Sequence, residues 1–166
     1  MQLIILAAGT GSRLGNLTSK IPKSLIKIRQ KSLIQFQIDQ FSSHKIKKII
    51  IVTGFGSKII KKQLGNKIDY IFNKKFRTTN NMYSLWMARR FLKKEDTIIT
   101  FADLIMSKHI IKKIINSKHS INVAIDTSRI LKGTMTVKVK KNNLINIGKK
   151  NELSPDGNFI GISKIK

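Results

Sequence analysis

Apolar runs that alternate with helical segments predict a three-layer α/β fold, with an open, mostly parallel sheet and a small antiparallel hairpin addition. The runs at residues 3–6, 48–53 and 97–101 lack regular polar alternation, which is typical of strands buried on both faces of a parallel sheet. Between them, apolar residues recur near helical spacing, and this strand–helix rhythm is that of parallel α/β proteins. We expect a single domain over residues 1–166.

The remaining elements of this parallel part follow from local signals. Ser57 is a candidate cap for a short helix, and Gly65 ends that helix. Residues 69–72 predict a further short strand. The predicted helices cover residues 32–41, 57–64, 83–92 and 107–115.

Beyond Ser120 the pattern changes from alternating strands and helices to strands alone. Residues 121–125 predict a strand, and residues 134–139 and 144–147 are separated by only a few residues, which indicates a hairpin. Residues 159–165 form a last apolar run with no helix after it. This part supplies the antiparallel addition.

The first strand ends in a glycine-rich loop that can hold phosphate. Ala7, Ala8, Gly9 and Gly11 leave backbone amides uncovered, and glycine adopts the angles that let successive N–H groups converge on an anion. Ser12 lies in the same loop. Two cations follow: Arg13, which can fork onto phosphate oxygens, and Lys23, which comes after a proline that stiffens its loop.

Other glycine motifs fit this loop less well. A dinucleotide fingerprint needs a third glycine one position before Gly15 and an acid about 20 residues on, whereas residues 26–35 contain none. The spacing of a Walker A motif is absent around Gly9 and Gly11. A plain glycine turn remains open as an alternative, although it explains neither Arg13 nor Lys23.

The pattern Leu6-Ala7-Ala8-Gly9-x-Gly11-x-Arg13-Leu14, followed by Thr18 and Pro22-Lys23, resembles the signature of nucleotidyltransferases that activate sugar phosphates and alcohol phosphates. The resemblance implies a Rossmann-like fold of the nucleotide-diphospho-sugar transferase type. It also implies that the glycine loop and Arg13 hold the triphosphate of a nucleoside triphosphate (NTP). Lys23 would neutralise charge at the phosphorus under attack.

Asp103 is the candidate metal ligand. It ends a buried strand in a chain with only 8 acidic residues, and ligands of open α/β sheets lie beyond the carboxyl ends of the strands. The loops at residues 9–13, 54–56 and 73–81 should therefore meet Asp103 in one crevice. Mg²⁺ prefers one or two carboxylates plus substrate phosphates. In the resembled family an Asp here carries Mg²⁺, often within Asp-Gly-Asp, of which this chain keeps the last position; a helix cap is the alternative role.

A second stretch, Asn80-Asn81-Met82-Tyr83-Ser84-Leu85, is similar to the corresponding turn of cytidylyltransferases for phosphocholine and aminoethylphosphonate. This resemblance implies CTP as the nucleotide, with Thr79 and the side-chain amides of Asn80 and Asn81 near the base or ribose. Either asparagine could instead be a plain helix cap. Tyr83 and Trp86 are expected in the core, or else they offer a cation–π face to a substrate amine.

The last residues, Gly157-Asn158-Phe159-Ile160-Gly161-Ile162, resemble the segment that closes the substrate site in these cytidylyltransferases, with Asn158 where an acid is usual and Lys149 and Lys150 at a basic spot before it. Members of the family continue through a second metal-binding Asp. We therefore expect this chain to be truncated at its C-terminus, or completed by another segment or a second subunit, and to be a poor catalyst alone.

The composition of the chain bears on whether it binds nucleic acid and on where in the cell it is expected. The formal net charge of +25 favours nucleic-acid binding. The distribution of the charge argues against it, because the lysines recur along the whole chain and few aromatic residues lie among them to stack on bases. The lack of cysteine, signal peptide and membrane span predicts a cytoplasmic protein. The sequence thus predicts Mg²⁺-dependent transfer of a nucleoside monophosphate, CMP by the second resemblance, from an NTP to a small phosphorylated acceptor. A sugar-1-phosphate nucleotidyltransferase and a nucleotide- or nucleic-acid-binding protein without turnover remain alternatives.

Overall fold

A central sheet of parallel strands organises the protein. The computed structural model describes residues 1–18, 20–92, 95–148 and 154–166, with the backbone alone for Arg13. Strand β1 (Gln2–Ala7) lies between β4 (Lys48–Thr53) and β6 (Thr97–Phe101), and β5 (Asp69–Phe72) pairs with the outer edge of β4. All three pairings are parallel, so the carboxyl ends of these strands meet at one edge of the sheet.

Apolar side chains cover both faces of this sheet. Leu3, Ile5 and Ile51 pack on one face, whereas Ile4 and Ile50 pack on the other. All five are fully buried. Burial on both sides explains why these strands are continuous apolar runs without alternation.

All four predicted helices are present, with shifts of one to five residues at some of their ends. They are α1 (Leu33–Ser42), α2 (Ser57–Leu64), α3 (Asn81–Met87) and α4 (Lys108–Asn116). Ser32 and Ser107 cap α1 and α4, because their side chains accept hydrogen bonds from the amides of Gln35 and Ile110. Before α1, the short strands β2 (Lys27–Ile28) and β3 (Lys31–Ser32) form a separate hairpin.

Two predicted helix details are wrong. Ser57 is the first helical residue of α2 and not its cap; the cap position is Gly56, whose φ of +64° suits glycine. Helix α3 begins at Asn81 and ends at Met87, and the residues up to Leu92 form turns.

Antiparallel strands extend the sheet beyond β6. Strand β10 (Gly157–Ile165) pairs with β6, with β7 (Ile121–Asp126) and with β8 (Thr136–Lys140), and β9 (Asn143–Gly148) completes the predicted hairpin with β8. The fold class is therefore the predicted one, and the antiparallel addition comprises β7 to β10. In the part of the chain that the structure describes, no helix is long and apolar enough to cross a membrane.

Candidate active site

A cleft of about 490 Å³ opens at the carboxyl ends of β1 and β6. Its wall combines residues 9–12 of the glycine loop, Lys23 with Ser24, Asn81 at the start of α3, and residues 101–103 after β6. Ala7 also lines it. Three of the four predicted strand-end segments thus contribute to one crevice.

The glycine loop that is predicted to hold phosphate is tightly packed. Gly11 has a φ of +71°, and a Cβ there would lie 3.0 Å from side-chain atoms of both Thr18 and Lys23. The Thr18 hydroxyl donates to the Gly11 carbonyl at 2.9 Å and so closes the loop on itself. Among the described residues, the amides of Gly9, Thr10 and Gly11 make no hydrogen bond to a backbone carbonyl. They are therefore available to an anion.

The segment 54–56, predicted to line the crevice, instead lies behind the loop. A Cβ on Gly56 would lie 2.3 Å from Pro22, and one on Gly54 would lie 2.4 Å from the Ala8 carbonyl oxygen. The Phe55 amide donates to that same oxygen at 3.3 Å. Residues 54–56 therefore pack against the glycine loop at Ala8 and against Pro22, which directly precedes Lys23.

Lys23 and Asp103 form an ion pair at the cleft. The Lys23 Nζ lies 2.6 Å from the Asp103 Oδ2, and the two side chains are 40% and 33% exposed. The pair joins residues 80 positions apart, so it directly links the loop after β1 to the end of β6. Exposed ion pairs contribute little to stability, about 0–1 kcal/mol, so both groups can exchange partners when a charged ligand arrives.

The turn before α3 places only one of its three predicted residues in the cleft. Asn80 caps α3, since its Oδ1 accepts from the Tyr83 amide at 3.2 Å. Thr79 donates to the Lys75 carbonyl and accepts from Asn73 at 3.1 Å. Asn81 lines the cleft, and no hydrogen bond of its side chain is seen within the described part of the chain. The alternative of a helix cap is therefore correct for Asn80.

Sequence reasoning missed Asn73, which organises this turn. It is 1% exposed, its Nδ2 donates to Thr79 and to Ser84, and its Oδ1 accepts from the Lys75 amide. Its position could have indicated this role, because Asn73 is a polar residue directly after β5, at the carboxyl end of a parallel strand. The contacts of Asn73 explain how the short loop after β5 delivers Asn81 to the cleft.

The expectation that Trp86 is a core residue is wrong. Trp86 is 53% exposed and stacks on Tyr83 with 5.5 Å between the ring centroids. The Arg89 guanidinium lies 3.9 Å from the centre of the Trp86 ring, so a cation of the protein already occupies one face.

Some predicted residues cannot be placed in the cleft. The side chain of Arg13 and residues 149–153, which include Lys149 and Lys150, lie outside the described residues. Asn158 lies apart from the cleft lining and is 3% exposed. Its Oδ1 accepts from the Leu131 amide and the Thr134 hydroxyl, so it holds the loop between β7 and β8.

Residues 2–143 match the family model described as nucleotidyl transferase. The chain belongs to the nucleotidyltransferase family. This match spans most of the chain and includes the glycine loop, Lys23, Asn81 and Asp103. The resemblance found in the sequence is thereby confirmed.

Two relatives of this nucleotidyltransferase are named for cytidylyl transfer. The CTP:phosphoglutamine cytidylyltransferase of Campylobacter jejuni is 32% identical over 168 residues, which cover 90% of this chain and 66% of the relative. The choline-phosphate cytidylyltransferase of Streptococcus pneumoniae is 38% identical over 95 residues, covering 55% of this chain and 41% of the relative. The chain therefore spans at most 66% of the length of these two relatives.

Solved structures confirm the fold of the nucleotidyltransferase. The inositol-1-phosphate CTP transferase of T. maritima superposes with a TM-score of 0.82 at 20% identity, over 99% of this chain and 69% of that one. The CTP:phosphocholine cytidylyltransferase of Streptococcus pneumoniae superposes with a TM-score of 0.72 at 24% identity, over 99% and 70% of the two chains. At these identities the likeness shows the fold alone.

The chemistry of the residues at the cleft fits a divalent metal ion that needs few protein ligands. Asp103 is the only acidic residue among the described residues that line the cleft, and no group of three or more acidic, His or Cys side chains occurs in the described chain. Mg²⁺ keeps several waters and needs one or two carboxylates when phosphates supply further oxygens. Ser107 caps α4, so the alternative that Asp103 serves as its cap is wrong.

Proposed function

We propose that the protein transfers CMP from CTP to a small acceptor that carries a phosphate or phosphonate, with release of pyrophosphate. One observation carries this proposal: Lys23 and Asp103 meet at 2.6 Å beside a glycine loop whose amides are open to an anion. A cation, a candidate metal ligand and a phosphate cradle then share one cleft. We place the reaction in the cytoplasm.

The proposed reaction brings two anions together. An oxygen of the acceptor's phosphate attacks the α-phosphorus of CTP, the bond to the bridging oxygen of the β-phosphate breaks, and pyrophosphate leaves with that electron pair. No covalent enzyme intermediate is needed, so the protein's contribution is alignment and neutralisation of charge. The loop amides, and in this proposal Arg13, hold the triphosphate.

In this proposal Asp103 and Lys23 have different roles at the reacting phosphate. Asp103 would hold Mg²⁺, which supplies positive charge to the phosphate oxygens when bound. The ammonium of Lys23, which its ion pair with Asp103 holds at the cleft, would neutralise charge that develops at the α-phosphate. The ion pair therefore keeps both groups at the cleft until the substrate arrives.

The choice of CTP rests on Asn81 and on the relatives. An exposed amide at the start of α3 offers a donor and an acceptor in a fixed place, as reading a base edge or ribose requires. The two relatives above are named as cytidylyltransferases. We expect CTP to bind more tightly than ATP, GTP or UTP by about 1–3 kcal/mol, the worth of one or two buried hydrogen bonds.

Calorimetry with the four nucleotides and Mg²⁺ tests this choice, and Asn81→Ala should reduce the preference for CTP. Asn66→Ala, at an exposed asparagine outside the lining of the cleft, is the matched control. Pyrophosphate release is then measured with phosphocholine, aminoethylphosphonate and hexose 1-phosphates as acceptors. We expect slow release, because Asp103 is the single carboxylate among the described lining residues. Preference for a purine would move the protein to the sugar-nucleotide branch, and absence of NTP binding would refute the proposal.

A further inference from the structure

Gln37 is a polar residue in the middle of the buried face of α1. Leu33, Ile34 and Phe41 complete that face, and Gln37 itself is 0% exposed. A neutral amide at such a position costs free energy unless its hydrogen bonds are made. Its contacts therefore indicate what the residue does.

The side-chain amide of Gln37 donates hydrogen bonds to backbone carbonyls before and after Asp103. Its Nε2 donates to the Phe101 carbonyl at 2.7 Å and to the Leu104 carbonyl at 2.8 Å. Both hydrogens of the NH₂ group are thus used, whereas the Oε1 is buried without a partner within the described chain. The side chain keeps an unsatisfied oxygen in the core while it pairs the two carbonyls that flank residues 102 and 103.

The opposite side of this turn is also held. A Cβ on Gly161, in β10, would lie 2.6 Å from the Phe101 ring, so β10 packs directly against the start of the turn. The Ala102 amide donates to the Leu6 carbonyl of β1 at 3.1 Å. The Leu104 side chain lies 3.1 Å from the same Cβ position on Gly161, so β10 packs against both ends of the turn, and Gln37 adds a hydrogen bond to the backbone carbonyl of Leu104 beyond Asp103. Without it, the far side of the turn would lose that hydrogen bond.

We propose that Gln37 is a positioning residue for Asp103. By bonding Phe101 and Leu104, it holds the Asp103 carboxylate at the cleft beside Lys23, where that carboxylate would bind the divalent metal of the proposed reaction. The inference rests on the proposed function. Partners that orient a metal ligand typically contribute 10- to 100-fold in metal affinity or activity.

Gln40 provides a matched control. It lies on the same helix, its Nε2 donates to the Met106 carbonyl at 2.6 Å, and its Oε1 is likewise buried without a partner in the described residues. Gln40 thus joins α1 to the same segment but three residues beyond Asp103. A role that is merely structural would be shared by Gln37 and Gln40.

The test compares Gln37→Met, Gln40→Met and Asp103→Asn with the wild type, using Mn²⁺ as the metal probe. The dissociation constant of CTP is measured by calorimetry in EDTA and again with saturating Mn²⁺, and the ratio reports metal binding through the protein. We expect Gln37→Met to reduce this ratio by about 10-fold or more. CTP binding in EDTA should change less than about 2-fold in the same variant, and Gln40→Met should keep the wild-type ratio.

Two results would overturn the inference, and two others would refute the metal site on which it rests. An unchanged ratio in folded Gln37→Met would show that Asp103 needs no such partner. An equal loss of CTP binding in EDTA would show a general structural role. A wild-type ratio of one, or a ratio that Asp103→Asn leaves intact, would instead refute the metal site of the proposed function. If Gln37→Met does not fold, Gln37→Leu, which likewise has no hydrogen-bond donor, replaces it in the same comparison.

Discussion

At the scale of single residues, we expect the charge of Lys23 to matter more for the proposed reaction than for the stability of the fold. Its ion pair with Asp103 is 33–40% exposed, so the pair adds little to folding. Lys23→Ala should lower turnover by about 10²- to 10³-fold, as the loss of one group that stabilises transition-state charge does. The dissociation constant of CTP should change less. Steady-state kinetics with calorimetry measures both, and Lys27→Ala, an exposed lysine outside the cleft lining, is the control. Wild-type constants in Lys23→Ala would contradict the assignment.

Some residues of the candidate site could be predicted from the sequence, and others could not. The meeting of the glycine loop, Lys23 and Asp103 in one cleft could be predicted from residue type and spacing, whereas their chemical roles stay predictions. Asn80 and Asn81 could not be told apart, since a cap and a ligand contact need the same amide, and the direction of the chain entering α3 decides between them. The proposed role of Gln37 could not be predicted from the sequence, because it depends on two carbonyls that are more than 60 residues away along the chain.

At the scale of elements, a single carboxylate ties the β8–β9 hairpin to the chain before β10. The Val139 amide donates to Asp156 at 2.8 Å and the Lys138 ammonium at 2.9 Å, and these hydrogen bonds lower the pKa of the Asp156 carboxyl. A carboxyl with a lowered pKa stabilises the folded state above its unfolded pKa, near 4, and this contribution is lost as the pH falls through the folded pKa. The hairpin should therefore loosen in acid below about pH 4.

Amide hydrogen exchange by NMR measures this loosening. Exchange at Val139, corrected for intrinsic rates, should accelerate between about pH 5 and pH 3 relative to Ile5 in the centre of the parallel sheet. In Asp156→Asn, whose side chain keeps an acceptor oxygen but does not titrate, that extra acceleration should disappear. The same acid response in both proteins would show that another group controls the hairpin.

The elements of the parallel half were predictable because burial on both faces leaves a simple apolar run. The hairpin of β8 and β9 was predictable from its short connection. The position of β10 was not, because its pairing with β6 joins Ile162 to Thr100, far apart in sequence, and local patterns carry no information on such pairings. The shift from Ser57 to Gly56 at the start of α2 reflects the tight contact of Gly56 with Pro22, which only the folded chain reveals.

At the scale of the whole molecule, the net charge of +25 acts on every anion that approaches. Lysines recur in α2, α4 and β8, so the charge surrounds the protein and is not confined to the cleft. A field of this kind raises the association rate of an anionic ligand and is screened by salt, with a Debye length of about 30 Å at 0.01 M and 10 Å at 0.1 M. The net charge should therefore affect the association rate constant of CTP more than its dissociation rate constant.

This dependence can be measured through Trp86, the only tryptophan of the chain, which is exposed on α3 five residues after Asn81. Stopped-flow fluorescence should show the association rate constant of CTP falling about 10-fold between roughly 20 and 300 mM salt, while the dissociation rate constant changes less. Cytidine, which has no phosphate, is the control and should bind with no salt dependence. If cytidine slows as much as CTP, the salt acts on the fold and not through electrostatic attraction. If the dissociation rate constant of CTP carries the salt effect, the attraction is confined to contacts within the cleft, and the spread of lysines over the surface has no part in capturing the nucleotide.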